Sequence, residues 1–348
     1  MKNKIITAAI ISSLFISYNN VQAQDARFTQ YYAVPLLLNP AIMGANNALD
    51  AGLCYRNQWG SVNSGYSTYA LNAMYPLHLV SNEGKLDVGL SVMDDKAGAF
   101  GTLNAMLAID YNKQIAEDNS ICLALIGGYG QQSVSTSGQT FDNQYVQGAF
   151  NPNAPTNENV LSQKQGYADV GFGFTWYYNP SSEKSKINAF LGISGYHLNQ
   201  PNLSMTGAVS KLPVRMSYQA GIKIFEAKNI DIVPNAYVMV QNGNIETAFG
   251  LYGNYDVTDE MKVTLGFWYR RNDAIAILVG FGYKGFTLGY SYDAVTSTIS
   301  NLTGGINANE ITLSYNMGSK GGSQPSFGGA AASSGTTTAP NPSPFPQF

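Results

Sequence analysis

The sequence predicts an all-β fold: a transmembrane antiparallel β-barrel of about fourteen strands with an N-terminal lumenal or periplasmic segment. Three observations predict it. Charged residues make up 12% of the 348 residues, against roughly 25% in an ordinary soluble domain, while 23 Tyr, 16 Phe and 36 Gly are present. Apolar and polar residues alternate with period two from residue 48 to 317. Beyond the N-terminus no apolar run is long enough for a membrane helix, so a span must be a closed barrel, the other structure that satisfies every backbone group in lipid.

The N-terminus reads as a secretory signal over residues 1–23. Lys2 and Lys4 form its basic start, Ile5 to Ile16 its apolar stretch, and Val21-Gln22-Ala23 a small-residue cleavage site that leaves Gln24 as the mature start. Residues 24–47 form a lead-in or plug, and 48–317 the barrel. The tail, 318–348, is Gly, Ser, Thr, Ala and Pro with almost no charge, a composition that cannot bury a core and is read as disordered.

The strand pattern is clearest near the C-terminal end. Val263, Leu265, Phe267 and Tyr269 share one face, with Lys262, Thr264, Gly266, Trp268 and Arg270 on the other. The predicted strands are 48–59, 67–77, 84–95, 101–116, 119–134, 167–179, 186–199, 214–226, 229–241, 244–257, 261–271, 274–284, 286–295 and 309–317. The long connections, 135–166, 200–213 and 296–308, all fall after odd-numbered strands. With the N-terminus in the periplasm they lie outside, the asymmetry of bacterial barrels. This places the protein in the outer membrane of a Gram-negative bacterium with both termini periplasmic. A β-sandwich would also alternate, but its polar face would carry many charges; here that face holds Gly, Ser, Thr, Asn and Tyr.

If the apolar faces meet lipid, Arg56, Asp87, Asp110, Asp169, Arg215, Lys223, Glu246, Lys262 and Arg270 face the lumen. Charge is excluded from the lipid face by roughly 2–4 kcal/mol per Arg or Lys at the midplane. Mixed signs suggest lumenal ion pairs. Glycines on the same face either permit curvature or leave room for a ligand, a peptide or the protein's own N-terminal segment.

Catalytic signals are missing. His78 and His197 are the only histidines, and Cys54 and Cys122 the only cysteines, too few for a metal cluster or a disulfide framework. Gly280-Phe281-Gly282-Tyr283-Lys284-Gly285 has dinucleotide-binding spacing, but it lies within a strand and its turn with no helix to follow. A net charge of −3 gives no basic field for nucleic acid. The expectation is a protein without catalytic residues, metal or cofactor.

The lead-in reads Gln24-Asp25-Ala26-Arg27-Phe28-Thr29-Gln30-Tyr31-Tyr32, then Asn39-Pro40-Ala41-Ile42-Met43-Gly44, and Tyr55-Arg56-Asn57-Gln58-Trp59 follows on the first strand. This resembles the PorP/SprF family of the type IX secretion system, whose pattern is Gln-Asp-Pro-x-Phe-Ser-Gln-Tyr, Asn-Pro-Ala-x-x-Gly and Tyr-Arg-x-Gln-Trp. Ala26 stands in place of Pro and Thr29 in place of Ser. The resemblance spans roughly 24–317 and says nothing of the tail. It implies an outer-membrane component of protein secretion in Bacteroidota that binds, exports or anchors a secreted adhesin with a C-terminal sorting domain. It also implies contact with periplasmic ring components and a link to gliding motility.

In the motif, Asn39-Pro40 removes a donor and fixes a bend, and Gly44 is expected to allow a positive φ. Residues 24–44 would then plug or gate the lumen, or serve as a plain periplasmic lead-in. In loop 135–166, Phe141, Tyr145 and Phe150 offer a cargo-contact surface. An Asn-Pro-Ala plug also occurs in outer-membrane fatty-acid transporters, so the alternative is a channel for small hydrophobic molecules.

Overall fold

The computed structural model describes residues 25–45, 48–60, 65–77, 84–135, 140–146, 148–155, 164–180, 187–227, 229–297 and 307–317. The signal, the tail, His78 and parts of the long connections lie outside the described residues. The strands are β1 (Asp50–Gln58), β2 (Tyr66–Pro76), β3 (Lys85–Ala97), β4 (Phe100–Ala116), β5 (Asn119–Val134), β6 (Tyr145–Val146), β7 (Ala149–Phe150), β8 (Lys164–Tyr178), β9 (Ile187–Tyr196) and β10 (Arg215–Ala227). They continue with β11 (Ile230–Gln241), β12 (Asn244–Thr258), β13 (Met261–Arg270), β14 (Ala274–Tyr283), β15 (Phe286–Val295) and β16 (Ala308–Asn316). Fourteen of them close an antiparallel barrel, sealed where β1 pairs with β16 from Asp50–Asn316 to Gln58–Ala308. β6 and β7 form a separate hairpin within the β5–β8 connection.

Alternation decides which side of the wall each residue meets. On β14, Ile277 is 61% exposed while its neighbours Ala276 and Leu278 are buried. On β4 and β5, Leu107 and Leu125 point outward, while Ala108 and Ala124 point in. An apolar outer band is what lipid requires. At 17 and 16 residues, β4 and β5 exceed the roughly 9–11 residues a tilted span needs, so they project beyond it.

The two rims differ. The strand ends that flank the β5–β8, β9–β10 and β15–β16 connections share one rim, and the short turns 117–118, 259–260 and 284–285 share the other. Lys284 and Gly285 turn with φ of 50° and 85°, as tight hairpins demand. β1 begins and β16 ends at the short-turn rim.

Residues 25–45 lie inside the barrel. They form three short 3-10 turns, Tyr31–Ala33, Pro35–Leu37 and Pro40–Ala45. Each hydrophobic cluster of the interior joins this segment to the wall: Leu36, Ala41 and Met43 to β2, β4, β5, β8 and β9, Tyr31 and Leu38 to β11–β14, and Phe28 and Val34 to β1–β3. The segment starts at the long-loop rim, where Asp25 meets Arg215 and His197, and reaches the short-turn rim near Gly44. The described residues therefore begin at one rim, at Asp25, and end at the other, beside the Asp50–Asn316 pair. A buried thread across the lumen leaves no period-two signal to reveal its direction.

Candidate functional site: the lumenal segment and its anchors

At the long-loop rim, the Asp25 carboxylate accepts from Arg215 at 2.8 Å and from His197 Nε2 at 2.8 Å. The other ring nitrogen of His197 lies 2.7 Å from Asp169 on β8. Burial alone would lower the His197 pKa, but the flanking Asp25 and Asp169 carboxylates outweigh it and raise it to about 9. Burial likewise acts to raise the Asp25 pKa, and the Arg215 and His197 charges override it, holding the carboxyl well below its usual range. His197 is therefore a cation at neutral pH and donates at both nitrogens. Arg27 pairs with Glu246, which also accepts from the Tyr237 hydroxyl at 2.8 Å.

One turn deeper, Glu310 accepts the backbone N–H groups of Thr29 (2.9 Å) and Gln30 (2.6 Å). Arg56 bridges Glu310 at 3.0 Å and Asp293 at 2.8 Å, and Arg270 reaches Asp293 at 2.7 Å and Asp273 at 2.8 Å. The Thr29 hydroxyl sits at the centre, donating to Asp293 and accepting from Arg270 at 2.8 Å. Serine would supply the same hydroxyl, so the Ser-to-Thr departure at Thr29 keeps this contact. Gln30 is fully committed: its amide donates to the Glu310 carbonyl, and its oxygen accepts from Thr312 at 2.8 Å and Tyr32 at 3.1 Å. Gly289 makes room for it, since a Cβ there would stand 2.2 Å from the Gln30 oxygen.

Tyr31 lies edge-on to Tyr237 and Trp268, with ring centroids 5.9 and 5.6 Å apart. Tyr32 packs on Tyr252 in the same way. Leu36 N–H donates to Asn72, and the Ser194 hydroxyl donates to the Leu38 carbonyl at 2.6 Å. Asn39 donates to Thr175 and to Gln219, while its own oxygen accepts the Ala41 N–H at 3.0 Å and so caps the turn that Pro40 opens. The Gly44 carbonyl accepts from Asn112 at 2.6 Å and Lys85 at 3.3 Å.

Gly44 departs from expectation in its reason. Its φ is not among the positive ones. It is close packing that requires glycine, because a Cβ would meet Asp110 and Cys122 at 2.5 Å.

The sequence-derived residues distribute as follows. Phe28, Gln30, Tyr31, Asn39, Pro40, Ala41, Gly44 and Arg56 are buried within the barrel. Tyr55 points outward, and Gln58 and Trp59 are half-buried at the end of β1. Asp87, Asp110, Asp169, Arg215, Lys223, Glu246 and Arg270 are buried, and Lys223 pairs with Asp231 at 3.0 Å. Lys262 lies at the short-turn rim, 25% exposed and 3.7 Å from Asp256. On the long loop, Tyr145 and Phe150 are exposed with rings 5.5 Å apart, and Phe141 is half-buried at the start of a 3-10 turn. Sequence reasoning missed Asp25, Thr29, Asp293 and Glu310 as anchors. For the last two the signal was present: each is a carboxylate on the inward phase beside an outward aromatic or apolar series, Tyr290 and Tyr292 or Ile311 and Leu313.

These features define an outer-membrane-type β-barrel whose lumen holds its own N-terminal segment along most of its length. Residues 20–315 match the family described as type IX secretion system membrane protein PorP/SprF, and the chain belongs to that family. Among solved structures it is similar to a FadL homologue of Pseudomonas aeruginosa, with 12% identity, a TM-score of 0.50, and coverage of 80% of this chain and 93% of that one. It is also similar to the toluene transporter TodX of Pseudomonas putida, with 9% identity, a TM-score of 0.48, and coverage of 83% and 93%. These likenesses are of fold. No curated protein matches the chain.

Proposed function

We propose that this barrel is the outer-membrane component through which the type IX system binds, exports or anchors a secreted surface adhesin, in a pathway linked to gliding motility. The long-loop rim faces outward and the short-turn rim faces the periplasmic ring components. Residues 24–47 act as a plug ahead of the 48–317 barrel, after removal of a 1–23 signal, with 318–348 a periplasmic tail. The observation that carries this reading is the lumenal segment itself. It occupies the interior through charge-assisted and backbone hydrogen bonds, which fits a barrel that works by protein contact at its rims. The aromatic pair Tyr145 and Phe150, exposed on the long-loop rim, is the proposed adhesin contact.

The FadL-like fold supports a second reading, a channel for small hydrophobic molecules. The two part on one experiment. Tagged protein is drawn from detergent-solubilised outer membrane and its companions are identified by mass spectrometry. A large surface adhesin with a C-terminal sorting domain, together with periplasmic ring components, is expected, and Tyr145→Ser with Phe150→Ser should cut adhesin recovery about tenfold. Lipid alone, with surface proteins unchanged in a gene deletion, would move the channel reading to the front.

A further inference from the structure

The seam between β8 and β9 is incomplete. β8 pairs with β5 over fifteen rungs, out to Lys164–Ser133, but with β9 over only seven, ending at Phe172–Gly195. His197 ends the pairing. Its φ is 59°, the left-handed region that a side chain rarely adopts. Continued in register, His197 would face Val170. Instead Leu198 N–H reaches the Val170 carbonyl at 3.1 Å, one residue late. The next tie is a side chain, the Asn199 amide on the Ala168 carbonyl at 2.7 Å. Gln200, with φ 43°, then turns the chain away.

Alternate residues of a strand aim both backbone groups at the same neighbour, so Ala168 and Gly166 share the direction of Val170. Both are exposed, and among the described residues no backbone hydrogen bond from the 197–214 connection reaches them. Besides the Leu198 and Asn199 ties, this half of the seam is closed by a side-chain relay: Asp169 of β8 to His197, His197 to Asp25, Asp25 to Arg215 of β10. One inner member, Asp25, belongs to the lumenal segment and not to the wall.

We propose that the β8 edge over residues 166–170 is a strand-acceptor site for an extended segment of a secreted polypeptide, latched shut by Asp25 through His197. The site rests on the secretion reading above and names where on the barrel it operates. The chemistry selects the occupant. Among the described residues the Ala168 and Gly166 carbonyls are held only by the side-chain amides of Asn199 and Gln165, and no backbone acceptor from the 197–214 connection reaches their N–H groups, so an incoming strand supplies the backbone partners that a lipid or hydrocarbon does not. The lumenal segment gates the site, because its withdrawal removes the Asp25 carboxylate that ties His197 to Arg215 of β10 and leaves only the His197–Asp169 contact across the seam.

Two measurements on the full chain test this. Hydrogen exchange of the detergent-solubilised protein compares wild type with Asp25→Asn and His197→Gln, each checked for a folded barrel by its heat-modifiable gel mobility. Exchange of the Leu198 N–H, which is bonded to the Val170 carbonyl, should rise at least about tenfold while residues 172–178 and the β13–β14 seam stay unchanged. A uniform change, or none, overturns the latch. In cells, Ala168→Cys with Asn199→Cys ties the seam by a disulfide, and each single cysteine serves as control. Oxidised cells should lose surface delivery of the secreted protein and regain it on reduction. If gene deletion abolishes delivery but the tied barrel still delivers, the acceptor site is wrong and the secretion reading stands. If deletion itself leaves delivery intact, the secretion reading and the acceptor site both fall.

Discussion

Glu310 shows how much of the segment's hold rests on single buried charges. Its carboxylate serves two backbone donors and one guanidinium at once, with none of its side chain exposed. Breaking a buried ionic pair by removing one partner costs about 3–5 kcal/mol, because the surviving charge stays desolvated. Glu310→Ala strands Arg56 and the Thr29 and Gln30 N–H groups together, so it should lower the temperature of the heat-modifiable gel transition clearly. Glu310→Gln keeps an acceptor and should lose roughly half as much. Equal mobility curves for all three proteins would show that the network adds nothing to stability.

His197 adds a pH dependence with a defined sign. Its folded pKa of about 9 lies above the ordinary 6.5, so its contribution is complete below about pH 6.5 and lost as pH rises through about 9. The groups facing it are Asp25, Asp169, Arg215 and the Tyr196 ring. Asp25 titrates far below this window. Tryptic cleavage after Arg27 should therefore accelerate between about pH 7 and pH 9.5, beyond trypsin's own profile on a free peptide. His197→Gln should cleave fast at both values, and a flat wild-type ratio would remove the rim anchor from the account.

The elements divide into those that alternation could reveal and those it could not. β5 and β15 have the predicted limits, Asn119–Val134 and Phe286–Val295, because period two runs unbroken to a turn residue at each end. β9 was expected to reach residue 199 and stops at Tyr196. The cause is a φ imposed on His197 beside Asp25, a residue 172 positions earlier, which no local pattern encodes. The inward charges were legible as a face, but their bonds to Thr29 and Gln30 were not, since separations near 280 residues are set by closure of the barrel. Gly44 was legible as a necessary glycine with the wrong reason attached. Its role predicts that Gly44→Val forces the segment off the Asp110–Cys122 wall and exposes residues 25–45 to protease in the folded barrel. Gly253→Ala, where an added Cβ meets nothing within 4 Å, should change stability by less than about 0.5 kcal/mol. Indistinguishable digestion of the two variants would mean the segment is not held by close packing at this end.

At the scale of the whole molecule, the wall and the thread inside it have different kinds of stability. The wall is a closed ladder in which every strand has two neighbours. The thread carries no ladder and is held at intervals by Asp25, Thr29 and Gln30, Asn39 and Gly44. A barrel of fourteen strands does not need the thread to close, but without it the interior loses Leu36, Met43 and Tyr31 from its clusters and gains water. Deleting residues 25–45 should thus leave a folded, heat-modifiable barrel that conducts ions in planar bilayers, where the intact protein is silent. Conductance that appears with the deletion makes the segment the seal of this barrel. A silent deletion variant would place the seal in the long connections instead, and would leave the segment as the holder of the β8–β9 seam and not of the pore.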